Sequence, residues 1–142
     1  MAARPSRVTL RWREESRLEA ETESGAVITV DGKGGLSPSP MLLLLEAVGS
    51  CSAIDVVEIL TKGRQPPVEL EVQVLGERRA EPPRRYTALR LLYTIRGRVD
   101  RARAERAVSL SLEKYCSVFH SLDPDLRDHT EVEIRIEDAG EG

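Results

Sequence analysis

The amino-acid sequence predicts an α+β fold, with helices segregated onto antiparallel sheets, and three observations predict it. Several short segments alternate apolar and polar residues with period two, as half-buried strands do. One stretch, Ser37 to Gln65, is apolar around most of a helical circumference and carries start and stop signals at its ends. A second helical pattern follows Asp100. The order is three strands, helix, two strands, helix, one strand. At 142 residues the chain (1–142) reads as a single domain, long enough to bury a core.

Val8 to Glu14 opens the β region, with Val8, Leu10 and Trp12 on one face and Thr9, Arg11 and Arg13 on the other. Arg17 to Glu23 follows, with Leu18, Ala20 and Thr22 inward. The turn Ser24-Gly25 leads into a strand over Ala26 to Val30. Asp31-Gly32-Lys33-Gly34-Gly35 then closes the meander, and its glycines lack the spacing of a P-loop or a dinucleotide fingerprint.

The long helix is expected to start with Ser39 as N-cap and Pro40 at the first helical position, where a missing N–H costs nothing. Gly63 and Pro66-Pro67 stop it after about six turns. Met41 to Leu45, Ala47, Val48, Ala53, Ile54, Val56, Val57, Ile59 and Leu60 make it apolar on nearly every side, so it should be buried. Glu46, Asp55 and Glu58 interrupt the apolar run well short of the roughly 18 residues that a membrane span requires. Such a helix needs cover on both sides, and the rest of the chain supplies one good layer. The expectation is an intertwined homodimer in which two long helices pack together.

Beyond the helix, Val68, Leu70, Val72 and Val74 alternate with polar residues, and so, after Glu81-Pro82-Pro83, do Leu89, Leu91, Tyr93 and Ile95. Two long antiparallel strands are expected there. Asp100 should cap a second helix with Ala104, Ala107, Val108, Leu112 and Tyr115 on its apolar side and Cys116 at its end. Asp123-Pro124-Asp125 reads as a turn, and Val132, Ile134 and Ile136 mark a last strand.

Charge excludes some classes of function. With 21 basic and 24 acidic side chains interspersed, the net charge of −3 offers no field to recruit nucleic acid or a membrane surface. The N-terminus lacks the apolar segment of a secretory signal, so a cytoplasmic location with reduced thiols is expected.

Cys51 and Cys116 therefore matter as thiols. With 64 residues between them, on different helices, they form neither a C-x-x-C motif nor half of a zinc site of usual spacing. Each is either a nucleophile or a buried filler. Cys51 lies in Gly49-Ser50-Cys51-Ser52-Ala53, an island of small residues that leaves room for something to approach the thiol. Asp55, one turn later, would oppose its ionisation, whereas Arg11, Arg13 or Arg17 could stabilise the anion. His120 and His129 are isolated and read as surface imidazoles.

Three segments then become specific: S-P-S-P-M-L-L-L-L-E-A-V-G-S-C-S-A-I-D-V-V-E-I-L-T-K-G-R-Q, E-R-R-x-E-x-P-R-R-Y and S-L-E-K-Y-C-S-V. Together they resemble the OsmC/Ohr family of osmotically inducible and organic-hydroperoxide-resistance proteins, over nearly the whole chain and closest to its OsmC-like branch. The resemblance implies an intertwined homodimer and a thiol peroxidase that needs no metal or flavin. It makes Cys51 the peroxidatic thiol, oxidised by an organic hydroperoxide to a sulfenic acid, and Cys116 the resolving thiol that condenses with it to a disulfide. An external dithiol, for example a lipoyl group, would reduce that disulfide. The family's glutamate, nine or ten residues before the cysteine, is replaced here by Leu42 and Met41, and Glu46 lies about 140° from Cys51 around the helix. The alternative function is a non-catalytic dimeric module that binds an apolar or thiol-reactive small molecule near Cys51.

Overall fold

The computed structural model describes residues 3–138. Its contacts group into two compact units, one up to Leu44 and one from Leu45 onward.

The first unit holds an antiparallel meander, β1 (Val8–Glu14), β2 (Arg17–Thr22) and β3 (Val27–Asp31), in the order β1-β2-β3. The register sets Leu10 opposite Ala20 and Trp12 opposite Leu18, so the expected apolar residues do share a face. Asp31 anchors the following loop: its carboxylate accepts hydrogen bonds from the Ser16 hydroxyl at 2.7 Å and the Lys33 N–H at 3.0 Å. Those two bonds hold the Asp31 carboxyl below the ordinary carboxylate range, against its desolvation. Burial of the β1 face is not achieved within one chain, since Val8, Leu10 and Trp12 all stand exposed.

The helix α1 (Pro40–Lys62) begins where the sequence places it, the Ser39 hydroxyl accepting from the Leu42 N–H at 3.4 Å. In the second unit it buries one stripe, Val48, Gly49, Ser52, Val56 and Leu60, and leaves Ile54 and Val57 exposed. The all-round burial expected from its composition is thus not met inside a single chain, because one three-stranded sheet covers one side.

That sheet consists of β4 (Glu69–Arg78), β5 (Tyr86–Arg96) and β6 (Thr130–Glu137), with β5 central. β4 and β5 are antiparallel as expected. β6 instead runs parallel to β5, a correction to the all-antiparallel expectation. Its chain returns through three helices rather than a hairpin, and a crossover of that length sets a strand down parallel. Val72, Tyr93 and Ile134 are cross-strand neighbours, as are Val74, Leu91 and Val132, so the three alternating patterns fall on one face in register. Leu91, Tyr93 and Ile95 are fully buried there. Each apolar side chain so buried contributes on the order of 1.5–3 kcal/mol.

Close approach across this face depends on two glycines. A Cβ at Gly49 would come within 2.9 Å of Val74 Cγ2, and one at Gly76 within 2.5 Å of the Tyr86 ring and 3.1 Å of Leu45 Cδ2. Tyr86 is itself buried, so its ring has little freedom to withdraw. Gly76→Ala is expected to cost about 1–3 kcal/mol through overpacking, read as a lower urea midpoint with unchanged slope.

The helix α2 (Arg101–Leu110) runs into a single π-helical turn, Ser111–Tyr115, followed by the short helices α3 (Ser117–His120) and α4 (Pro124–Asp128). Asp100 occupies the N-cap position of α2 without capping by its side chain. Its carboxylate accepts from Gln65 Nε2 and its N–H donates to Gln65 Oε1, both at 2.9 Å, tying the end of α1 to the start of α2. Ala104, Ala107, Val108 and Leu112 are buried as expected, but Tyr115 is exposed, since the wider turn rotates it off the apolar side. The Asp123-Pro124-Asp125 turn proves to be the N-terminus of α4, where the Asp123 carboxylate accepts from the Asp125 N–H at 2.8 Å.

Candidate active site

The buried stripe of α1 recurs every four residues, and Cys51 and Asp55 stand one position ahead of its members Ser52 and Val56. Being i and i+4, their side chains share one edge of the helix. The π-helical turn supplies the other half of the site. There the Cys116 N–H reaches back five residues to the Ser111 carbonyl at 2.6 Å, and the chain turns extended at Cys116. This wide turn brings Ser111 and Cys116 together onto α1.

The result is a cluster in which Cys51 Sγ, Cys116 Sγ and a carboxylate oxygen of Asp55 all lie within 4.8 Å of one another. Both cysteines are free thiols, Cys51 half-buried and Cys116 buried. Beneath them runs a chain of hydroxyls. Ser52 Oγ bonds the Tyr93 hydroxyl at 2.6 Å and Ser111 Oγ at 2.9 Å, and Ser111 Oγ donates to Asp55 Oδ2 at 3.0 Å. Ser52, Ser111 and Tyr93 are buried, so each hydroxyl needs the partner it has.

Burial pushes the Cys116 thiol up to about 11, with Cys51 and Asp55 beside it acting in the same direction and the Phe119 N–H opposing. That N–H donates to Cys116 Sγ at 3.4 Å. Burial likewise pushes the Tyr93 hydroxyl up to about 12, in spite of its bond to Ser52.

The small-residue island around Cys51 has uses other than access. Gly49 lets α1 sit against Val72 and Val74, and Ser52 anchors the hydroxyl chain. A sequence signal for that chain does exist: Ser52, Tyr93 and Ser111 each put a hydroxyl in the phase of a buried face. These phases are 48, 52, 56, 60 on α1, 89, 91, 93, 95 on β5, and 104, 107, 108 on α2 continuing to 111 in the π-helical turn. Polar atoms in the core phase of three elements must find one another.

The sequence profile of the family described as OsmC-like protein matches residues 32–138. The chain belongs to the OsmC-like family. Protein YhfA of Escherichia coli (strain K12) is 49% identical over 111 residues, covering 77% of this chain and 83% of that protein. The crystal structure of a hypothetical protein from Aquifex aeolicus VF5 matches with a TM-score of 0.86 at 32% identity, over 96% of this chain and 98% of the other. The organic hydroperoxide resistance protein OhrB of Bacillus subtilis matches with a TM-score of 0.61 at 16% identity, over 96% of this chain and all of the other, a likeness of fold.

In this OsmC-like chain the structure brings together the two cysteines singled out by sequence and adds Asp55, held by Ser111. The candidate arginines all lie on the β1–β2 hairpin and engage carboxylates there. Arg11 pairs with Glu21 at 3.3 Å and Arg13 with Glu19 at 3.1 Å, while Arg17 pairs with Glu14 at 2.9 Å and lies 3.8 Å from Asp31. His120 and His129 are exposed. Among the described residues, no helix is long and apolar enough to cross a membrane.

Proposed function

We propose that the protein is a two-cysteine peroxidase acting on organic hydroperoxides in oxidative stress defence. The observation that carries this reading is the pairing of a half-buried thiol with a fully buried one, side by side on separate elements. Cys51, the more accessible, attacks the distal peroxide oxygen as thiolate. The O–O bond breaks, the alcohol leaves, and Cys51 becomes a sulfenic acid. The Cys116 thiol then attacks that sulfur, giving the disulfide and one water, with Asp55 taking the Cys116 proton and passing it to the departing hydroxide. An external dithiol such as a lipoyl group reduces the disulfide by exchange. No metal or flavin enters this cycle.

Arg11, Arg13 and Arg17 are the candidate cations for the Cys51 anion, and relief of a carboxylate partner would free any of them. The protein works in the reducing cytoplasm as a homodimer. Support for the dimer comes from Ile54 and Val57, apolar and exposed on the side of α1 away from its buried stripe.

The test is consumption of cumene hydroperoxide by the reduced protein with a dithiol, beside hydrogen peroxide. Turnover that favours the organic peroxide and vanishes in Cys51→Ser is expected. Absence of turnover by dimeric protein with both thiols reduced would reject the reading in favour of a module that binds an apolar or thiol-reactive molecule near Cys51.

A further inference from the structure

The same cluster has the makings of a second chemistry. We propose that Cys51, Cys116 and Asp55, with both thiols reduced, form a three-ligand site for a soft divalent metal ion of the zinc class. The three candidate donor atoms lie within 4.8 Å of one another. A tetrahedral zinc ion with Zn–S bonds of about 2.3 Å sets its two sulfurs about 3.8 Å apart, so side-chain adjustments on the order of 1 Å close the site. Cys51 and Asp55 are i and i+4 on a rigid helix, a spacing that aims two side chains at one point. The third ligand arrives from the π-helical turn, whose backbone bond fixes the position of Cys116.

The surroundings are those of a supported site. Ser111 donates to Asp55 Oδ2 at 3.0 Å, which orients the carboxylate. Ser111 is in turn held by Ser52, and Ser52 by Tyr93. The Phe119 N–H donates to Cys116 Sγ, a bond that strengthens when the sulfur carries the charge of a metal thiolate. Two sulfurs and one carboxylate select zinc or cadmium over magnesium and calcium, which prefer oxygen alone. Three protein ligands leave a fourth position for water or a small thiol.

Metal and disulfide compete for the same two sulfurs, so occupancy reports the redox state of the pair. This site does not depend on the peroxidase reading: it needs two reduced thiols and a carboxylate, whatever reaction they serve.

The experiment is an anaerobic titration of the reduced protein with Zn2+ against a chromophoric chelator, repeated with Co2+ to read thiolate charge-transfer absorption. One ion per chain is expected, with a rise in Tm. Cys51→Ser, at a half-buried position, should stay folded by circular dichroism and weaken Zn2+ binding by about a hundredfold or more, and Asp55→Asn and Ser111→Ala by about tenfold. Protein oxidised with diamide, which takes two electrons and two protons from the pair as the disulfide forms, should not bind. No uptake at micromolar Zn2+ overturns the proposal, and so does binding that survives Cys51→Ser. Unchanged affinity in Asp55→Asn overturns the three-ligand set. Because none of these readouts uses peroxide, failure here and failure of peroxidase turnover are separate results.

Discussion

A Cys116→Ser variant is expected to lose one thiol per hydroperoxide where the parent loses two, and to accumulate Cys51 as a sulfenic acid that dimedone labels. In the parent the disulfide is expected to form because Cys116 Sγ is already beside Cys51 Sγ, within 4.8 Å. Holding a reacting partner in place is worth on the order of a hundredfold or more, so steady-state turnover with a bulky dithiol should fall by at least that factor. The exposed thiol of a reductant must otherwise reach a half-buried sulfenic acid unaided. Serine keeps the size of the buried side chain and its capacity to accept from the Phe119 N–H, so the fold should survive. Counting free thiols and mass-labelling with dimedone after one equivalent of peroxide, without reductant, reads the outcome directly. A variant that forms no sulfenic acid, or that still consumes two thiols per hydroperoxide by pairing Cys51 between chains, contradicts the assigned roles.

Much of this site was legible in the chain, and the illegible part has a common cause. Period and punctuation placed α1, because Ser39, Pro40 and Gly63 act locally. They also placed the β4–β5 pair, whose alternating residues meet in register. The two cysteines stood out through their neighbours and through family resemblance. What stayed hidden depends on three-dimensional juxtaposition. The parallel course of β6 follows from how the intervening helices carry the chain, which no period inside β6 encodes. The π-helical turn shows in the sequence only as Tyr115 falling where a regular helix would bury it. Asp55 looked like a liability beside Cys51 because Ser111, 56 residues away, was not seen to hold it. Its position on the helix was plain while its partner was not.

That partner is why Asp55→Asn should slow disulfide formation while leaving the first oxidation of Cys51 much less affected. Burial pushes the Cys116 thiol well above the ordinary cysteine range, so at pH 7 the reactive thiolate is scarce. Unaided, the resolving step would therefore be slow at neutral pH and would speed up about tenfold per pH unit for as long as the thiol stays mostly protonated. A base within reach of both sulfurs removes that dependence by accepting the Cys116 proton as the S–S bond forms, a service worth about 10²–10⁴ in rate. Asparagine keeps an oxygen to accept from Ser111 but cannot take up the proton, so packing and Tm should change little. Rapid mixing with one equivalent of hydroperoxide, in the presence of a metal chelator, would follow sulfenic acid decay against pH. The expected result is a decay slowed about a hundredfold at pH 7 in Asp55→Asn, with the tenfold-per-unit rise exposed in the variant and flattened in the parent. Superimposable profiles would reduce Asp55 to a scaffold for Ser111, and the proton would then have to leave Cys116 through solvent that its burial excludes.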